Sequence, residues 1–508
     1  MPGAGKPDVL VAGAGPTGLV LALWLARAGV RPRIIEKNGG PGQASRAMAV
    51  QARTLEFYHQ LGIADGVVAA GLKMGGGRFW DRGRLAARFE LGDIGAGISP
   101  FPFVLSYPQD DHERFLLDRL REAGVEVEWG TALVDFDETN DRVRARLRTA
   151  AGEAEADFAY LCGCDGAHST VRHGLKLGFP GGIYENRFYV ADIAGEGWSP
   201  DGYVNVSLGA DAFCLGFPVR RPGMVRVIGV LPRDLAARTD LTYADVRPTV
   251  ERLVGLRDTR ENWFSTYRVS HRVAERFRAG RVFVAGDAGH VHSPAGGQGM
   301  NTGIGDAVNL AWKLAAVLRG AATPALLDTY EPERLRFART LVASTDRVFS
   351  FMVGGGLRGW AMRRVFMPRV MPVAVRFAAV RRAMFRLIAQ TRIEYRPSPL
   401  SAGGAGRVRA GDRLPWLPTA DNFAPLTARD WQVHVYGEVG PALRNVAAGA
   451  GIPVHRFAWA AAVRRTGLAR DAVYLVRPDG YVGFAGSQHS LDGLKAYLTR
   501  FGFRGAGG

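Results

Sequence analysis

A chain of 508 residues is too long for one ordinary core, and 47% hydrophobic with 22% charged residues is the balance of a globular protein, not a disordered one. The formal charge of +17 invites a nucleic-acid partner, but the cations are nearly all Arg, with Lys only at 6, 37, 73, 176, 313 and 495. They are scattered, without zinc-finger spacing or a basic heptad arm, so no nucleic acid is expected and the positive potential suits small anionic ligands instead.

In chain order, Val9 to Ala26 is uncharged and long enough to suggest a membrane span, but Gly-Ala-Gly-Pro-Thr-Gly breaks its middle. The stretch reads instead as a buried strand (Asp8 to Ala12), a turn, a helix from Leu19 to Ala28 closed by Gly29, and a second strand from Val30 to Glu36. The turn is Gly13-x-Gly15-Pro16-Thr17-Gly18. Gly13 permits the tight bend, Gly15 lets backbone approach a pyrophosphate, and Gly18 allows close helix–strand packing under a helix N-terminus that attracts anions. Glu36, followed by Lys37, ends the second strand about 20 residues on, where a carboxylate can bind an adenosine ribose.

Tyr160 to Cys164 reads as a strand running into an Asp165-Gly166 turn, with Ser169 as helix N-cap. Cys162 and Cys164 read as small packing residues. With Cys214 they are the only cysteines, too few for a disulfide framework or a four-ligand zinc site, so no metal and a reducing, cytoplasmic compartment are expected. Val282 to Ala285 is a third buried strand, ending in Gly286-Asp287. It delivers a carboxylate to the carboxyl end of a sheet, where open α/β folds bind ligands. The stretch after it, through His290, His292, Pro294, Gly296, Gly297, Gly299, Met300 and Asn301, is glycine-dense enough for backbone to run along a flat ring system, and a helix follows from Ile304 to Leu318.

These three segments, in this order and spacing, resemble the class A flavoprotein aromatic hydroxylases of the para-hydroxybenzoate hydroxylase fold. The likeness runs from about residue 6 to about 340 and includes Ser45-Arg46, Arg53-Thr54-Leu55-Glu56 and Leu327-Asp-Thr-Tyr330-Glu331. It implies an α/β Rossmann-type FAD-binding domain (1–73, 106–180 and 271–345) with an inserted β-sheet substrate domain (74–105 and 181–270). A helical connecting segment (346–400) and a thioredoxin-like C-terminal domain without cysteines (401–508), as in phenol and polyketide hydroxylase relatives, complete the chain.

By the same resemblance, Glu36 holds the adenosine ribose, Arg46 and Arg53 lie near pyrophosphate and flavin, and Gln109 lies near the ribityl chain. Gly286 and Asp287 bind ribityl or ribose hydroxyls, and Asp165 organises FAD and the passing nicotinamide. Pro294, Gly296 and Gly297 line the flavin where oxygen reacts, Met300 and Asn301 contact its ring through backbone, and His290 and His292 support the loop. The chain lacks a second complete G-x-G-x-x-G unit, which fits NADPH or NADH visiting as a transient reductant.

The chemistry implied is hydroxylation of an aromatic, phenolic or polyketide-like substrate by an FAD C4a-hydroperoxide formed with oxygen. Epoxidation, Baeyer–Villiger-type insertion and drug inactivation on the same fold, or a non-catalytic FAD-binding or electron-carrier role, remain alternatives. Phenol hydroxylase-like relatives have an Asp where this chain has Met48, which leaves the base unassigned among Tyr107, Tyr184, Arg220 and His271. Phe101, Phe103, Phe188, Tyr189, Phe213 and Phe217 are the aromatic candidates of the substrate sheet, whose inner face the sequence does not reveal. Residues 345–395 mix apolar side chains with many Arg. Their core-helix spacing reads as packing over the active site, not membrane contact. A homodimer is among the expected assemblies.

Overall fold

Val9–Ala12 is buried along its whole length without alternation, as a parallel strand covered on both faces must be. The structure, a computed structural model, describes residues 8–502 apart from 43–46, 82–83, 91, 93, 197–201, 209–212, 220–222, 233, 294–296, 354–360, 362–364, 367–368 and 490. That first strand lies inside a six-stranded sheet ordered Arg278–Ala279, Val282–Val284, Tyr160–Gly163, Val9–Ala12, Pro32–Glu36, Val127–Trp129. All but the short Arg278–Ala279 strand run parallel. Parallel pairing brings the carboxyl ends of four strands to one edge, so Gly13, Glu36, Cys164-Asp165 and Gly286-Asp287 converge there although they are far apart in sequence.

The first helix, Pro16–Arg27, starts on a proline at its first position and buries Gly18 through Leu25. It packs against Gly299–Leu318, which begins five residues earlier than the expected Ile304 because Gly299 opens its first turn and Gly303 its second. Gly303 makes that approach feasible, since a Cβ there would collide with the Thr17 hydroxyl. Among the described residues no helix is long and apolar enough to cross a membrane.

A second sheet has eight strands, ordered His290–Val291, Arg257–Val273, Gly181–Glu196, Met224–Val230, Phe213–Pro218, Tyr203–Leu208, Gly76–Asp81, Arg84–Glu90. Its helix Tyr243–Val254 is opened by a Thr242/Asp245 capping box and closed by Gly255 in the left-handed conformation, φ 71°. The helix buries Val246, Val250 and Leu253 against Tyr189, Ala191 and Ile193, so odd-numbered residues of that strand face the helix. Residues Phe188 and Asp192 therefore belong to the opposite face.

The C-terminal unit runs Gln432–Tyr436, helix Pro441–Gly449, Val454–Phe457, helix Ala461–Thr466, Ala472–Val476, Val482–Ser487 and helix Asp492–Arg500. Its central strands are ordered 454–457, 432–436, 472–476, 482–487, with 472–476 antiparallel to both of its neighbours. That βαβ-then-ββα connectivity is the one a thioredoxin-like unit has. The unit is not a loose appendage: Trp312, Ala316 and Leu326 of the nucleotide-binding half share one core with Val433, Leu475 and Tyr497.

Candidate active site and cofactor cradle

At the carboxyl edge of the parallel sheet lies a cavity of about 240 Å³ bounded by Gly13, Gly15, Glu36, Lys37, Asn38, Thr131, Asp165 and Thr170. The three glycines are needed for different reasons. Gly13 has φ 102°, and a side chain there would strike the Cys164 carbonyl. A Cβ on Gly18 would strike the Gly13 carbonyl, whereas one on Gly15 would meet no protein atom within 4 Å. Gly15 is thus small for the sake of something outside the chain, at the start of a helix that has no side-chain cap.

Glu36 is preset by its neighbours. Its carboxylate accepts the Ala14 N–H at 3.1 Å and the Asn38 backbone and amide N–H groups at 3.0 and 2.7 Å. A carboxylate has lone pairs left after three such bonds, enough for ribose hydroxyls. Asp165 accepts the Val171 N–H at 3.2 Å through Oδ2, while its buried Oδ1 has no partner among the described residues. A buried carboxylate oxygen in that position calls for a hydroxyl from a ligand. Ser169 caps the next turn by accepting the Arg172 N–H, and the Arg172 guanidinium donates to Ala288 and Ala167 carbonyls, tying the Asp165 turn to the Gly286-Asp287 turn. An uncapped helix start, an empty-fronted glycine and an orphaned carboxylate oxygen together fit a dinucleotide such as FAD.

The Gly286-Asp287 turn is held from beneath. Asp306 accepts the Gly286 N–H at 3.0 Å, the His290 imidazole at 2.7 Å and the Arg334 guanidinium at 2.6 Å, all buried. Although burial opposes it, Arg334 and His290 hold the Asp306 carboxyl below its usual range. Asp287 itself is exposed at the carboxyl end of its strand. His292 donates through Nδ1 to the Ser293 carbonyl at 2.8 Å, and burial and His290 pull its pKa down to about 4.

Asn301 is a fastener as well as a ring-contact candidate. It accepts the Gln51 N–H and Thr54 hydroxyl and donates to the Ala49 and Gly297 carbonyls. Gly297 has φ 60° and lies against Ala49. Gln109 accepts the Ala47 N–H and donates to Glu113, whose carboxyl burial pushes up to about 7.

Arg53 departs from its expected position. It is buried, ion-paired to Glu56, donates to the Asp479 carbonyl at 2.6 Å, and lies 4.7 Å over the Tyr481 ring. Its guanidinium is committed to the junction with the C-terminal unit, not to a pyrophosphate. Arg46, Pro294 and Gly296, together with Arg220, lie outside the described residues.

The substrate sheet presents a row of side chains of which sequence reading named only Phe217. Phe217, Arg226, Asp192 and Trp263 occupy paired positions on four adjacent strands. Arg226 and Asp192 form a buried bidentate pair at 2.6 and 2.7 Å, and Arg226 Nη1 lies 3.2 Å from the Met48 sulfur. Met48, where phenol hydroxylase-like chains carry Asp, thus faces the Arg226–Asp192 pair of the sheet. Phe217 joins Ala49, Met74, Val104, Val204 and Ile388 in an apolar cluster between the two domains. By contrast Phe188 and Phe213 fill a separate small cluster, Tyr189 packs on the sheet helix, and Phe101 and Phe103 belong to the main core. Among the suggested bases, Tyr107 donates to the Asp111 carbonyl and burial pushes it up to about 12. Tyr184 donates to Asp346 at 2.6 Å, with the His271 ring 4.8 Å away.

A second network was equally invisible in the sequence. Glu333 accepts from Arg477, Lys313, Asn309 and Ser398, and Arg477 also pairs with Asp479, all of them buried. The one available signal was a lysine, Lys313, inside an otherwise apolar helix. All three thiols are free and buried. A more open depression of about 440 Å³ beside Asn445 and Lys495 contains none of the motif residues.

Residues 6–345 match the family model described as FAD binding domain. The 6-methylpretetramide 4-monooxygenase of Streptomyces rimosus is 38% identical over 423 residues, 81% of this chain and 74% of that protein. The dialkyldecalin synthase of Streptomyces rugosporus is 32% identical over 510 residues, covering 97% of this chain and 98% of that one. Among solved structures, the anhydrotetracycline hydroxylase OxyS of Streptomyces rimosus superposes with a TM-score of 0.78 at 31% identity, over 99% of this chain and 100% of that chain. The glycine turn, the Asp165 turn and the Gly286-Asp287 turn thus meet at one sheet edge of an FAD-dependent monooxygenase, and the chain belongs to the class A FAD-dependent aromatic hydroxylases.

Proposed function

We propose that this enzyme hydroxylates a phenolic, polyketide-like ring held between the Phe217–Arg226–Asp192–Trp263 row and the loop at Gly297–Gly299. The observation that carries the reading is the buried Arg226–Asp192 pair on the sheet face turned toward Met48. A guanidinium beside a phenol oxygen favours the phenolate, the more electron-rich and reactive form, and Asp192 holds that guanidinium in one orientation. Trp263 and Phe217 supply flat apolar surface for an aromatic ring.

FAD, when bound, supplies hydride acceptance from NAD(P)H and activation of oxygen. The chain's residues do the rest. The Gly13–Gly18 turn and its helix start bind the pyrophosphate, Glu36 accepts ribose hydroxyls, and Asp165 and Asp287 accept hydroxyls nearer the flavin. Gly297 lines the ring where oxygen reacts. The apolar cluster around Met74, Val104 and Ile388 excludes water, which would otherwise divert reducing power into peroxide. Buried free thiols suit a reducing cytoplasm.

The test is NADPH oxidation by the yellow holoenzyme in air with phenols, naphthoquinones and polycyclic aglycones. The expected result is substrate-stimulated oxidation matched by a product heavier by one oxygen. A panel in which no aromatic compound accelerates flavin reduction would defeat the reading. The likeness to a dialkyldecalin synthase supports a second reading, a non-oxidative reaction under bound FAD, for which product and substrate would have equal mass.

A further inference from the structure

The segment between Asp346 and Glu394 contains ten Arg and no Asp, Glu or Lys. Apolar residues recur through it at 366, 370, 373, 377, 380, 384 and 387, the alternating four-and-three spacing of a buried helical stripe. Apart from Met384, which packs against the main core, the structure does not bury that stripe. Phe377 is 64% exposed, Leu387 63%, Val373 52%, and Val365, Phe366, Val370 and Val380 are exposed with them. Among the described residues only Leu85 and Ile183 are other large hydrophobics so exposed, so the apolar surface is concentrated in one place. This overturns the expectation that the core-helix spacing buries these residues. The opposite side of the segment is firmly anchored. Phe385 is buried against Gly95, the Ile388 carbonyl accepts from Gln298, and the Ala389 carbonyl accepts the Arg53 N–H.

We propose that this face, carried by residues 365–366, 369–377 and the helix Ala378–Ile388, docks the enzyme on a bilayer surface bearing anionic headgroups. Exposed Arg376, Arg382 and Arg386 alternate with Phe377, Val380 and Leu387. Among the described residues no ion pair with a carboxylate engages these three arginines. Apolar side chains that enter the acyl boundary beside cations that meet headgroups are the two elements of interfacial binding. A second copy of this chain fits the same face poorly, because a two-fold contact would press Arg against Arg with no acid in the segment to relieve it. The anchored side reaches the glycine loop through Gln298, so docking would set the substrate site close to a membrane that dissolves apolar aromatic compounds.

The experiment is flotation of the FAD-loaded enzyme with vesicles of phosphatidylcholine alone or mixed with phosphatidylglycerol, at low and high salt. Wild type is expected to bind the mixed vesicles and to release in high salt. Arg376→Gln/Arg382→Gln/Arg386→Gln is expected to weaken binding about a hundred-fold, and Phe377→Ser/Leu387→Ser to abolish retention, both with bound flavin and melting temperature unchanged. Equal partition of wild type and both variants, or equal binding to pure phosphatidylcholine, would overturn the proposal. So would failure to bind vesicles together with a concentration-dependent dimer that Phe377→Ser/Leu387→Ser disperses.

Discussion

Glu333→Gln tests the charge network that joins the two halves of the chain. Glu333 is buried between Lys313 and Arg477, and among the described residues the only other carboxylate on these cations is Asp479, bonded to Arg477. The four charges sum to zero in the wild type, and neutralising Glu333 leaves one buried positive charge in excess. An amide also turns an N–H toward groups that themselves donate. Removing one partner of a buried pair costs about 3–5 kcal/mol. The protein has one way to relieve this, which is to release the Lys313 proton. Burial already lowers Lys313 from 10.5 to about 8 even with Glu333 beside it.

The sign follows from proton binding. Between about 8 and 10.5 the unfolded chain holds the Lys313 proton and the folded one does not, so stability from this group rises with pH. Without Glu333 that window opens at lower pH. The loss in Glu333→Gln should therefore be largest near about pH 6 and shrink toward about pH 9. Because the chain has several cores, the readout is the guanidinium midpoint and slope followed by tryptophan fluorescence, with Trp312 at the junction, not a single assumed two-state free energy. Lys313→Met in the Glu333→Gln background should recover part of the loss. A loss below about 1 kcal/mol, or one of the same size at both pH values, would refute the account.

Gly15→Ala and Gly18→Ala should separate cofactor binding from folding. The first meets no protein atom and should give folded protein with weakened flavin retention, while the second strikes the Gly13 carbonyl and should lower yield and melting temperature. Equal behaviour of the two, read by flavin absorbance and circular dichroism, would contradict the cradle. Arg226→Met should raise KM for a phenolic substrate and move the pH optimum for hydroxylation toward alkali, since the phenolate must then form unaided; an unchanged pH profile would remove Arg226 from the site. Asp306 is held below the ordinary carboxylate range, so its contribution is present above about pH 4 and lost as pH falls through its folded value. Arg334→Met should move acid-induced flavin release to higher pH, as followed by flavin fluorescence. Finally, burial pushes the Cys162 and Cys164 thiols up and Cys214 to about 12, so native enzyme should resist thiol reagents that label all three after unfolding.

Much of the cradle was legible because local geometry requires particular residues there. A turn that brings Gly13 against the Cys164 carbonyl and Gly18 against Gly13 leaves room for glycine alone, and such needs are written in the chain at fixed short spacing. A strand buried on both faces must be uniformly apolar, and Ser169 must be able to cap. The helix start at Gly299 was read too late because glycine ordinarily weakens helices, and only the close approach of Thr17 to Gly303 explains a glycine inside it.

What the amino-acid sequence determined by itself was therefore the nucleotide-binding strand–turn–helix, the order of the three motifs and the membership of the chain in its family. Tertiary structure alone decided the rest. It turned the Asp192 and Arg226 face toward Met48 because the sheet helix occupies the other face, and it drew Arg53 away to Asp479. It also placed Glu333 between two cations from separate domains and left the stripe around Phe377 exposed although its spacing is that of a core helix. The physical reason is common to all four. Helical or strand periodicity tells which residues share a face, but what covers that face depends on elements hundreds of residues away, and pairing between distant charges leaves no local pattern to read.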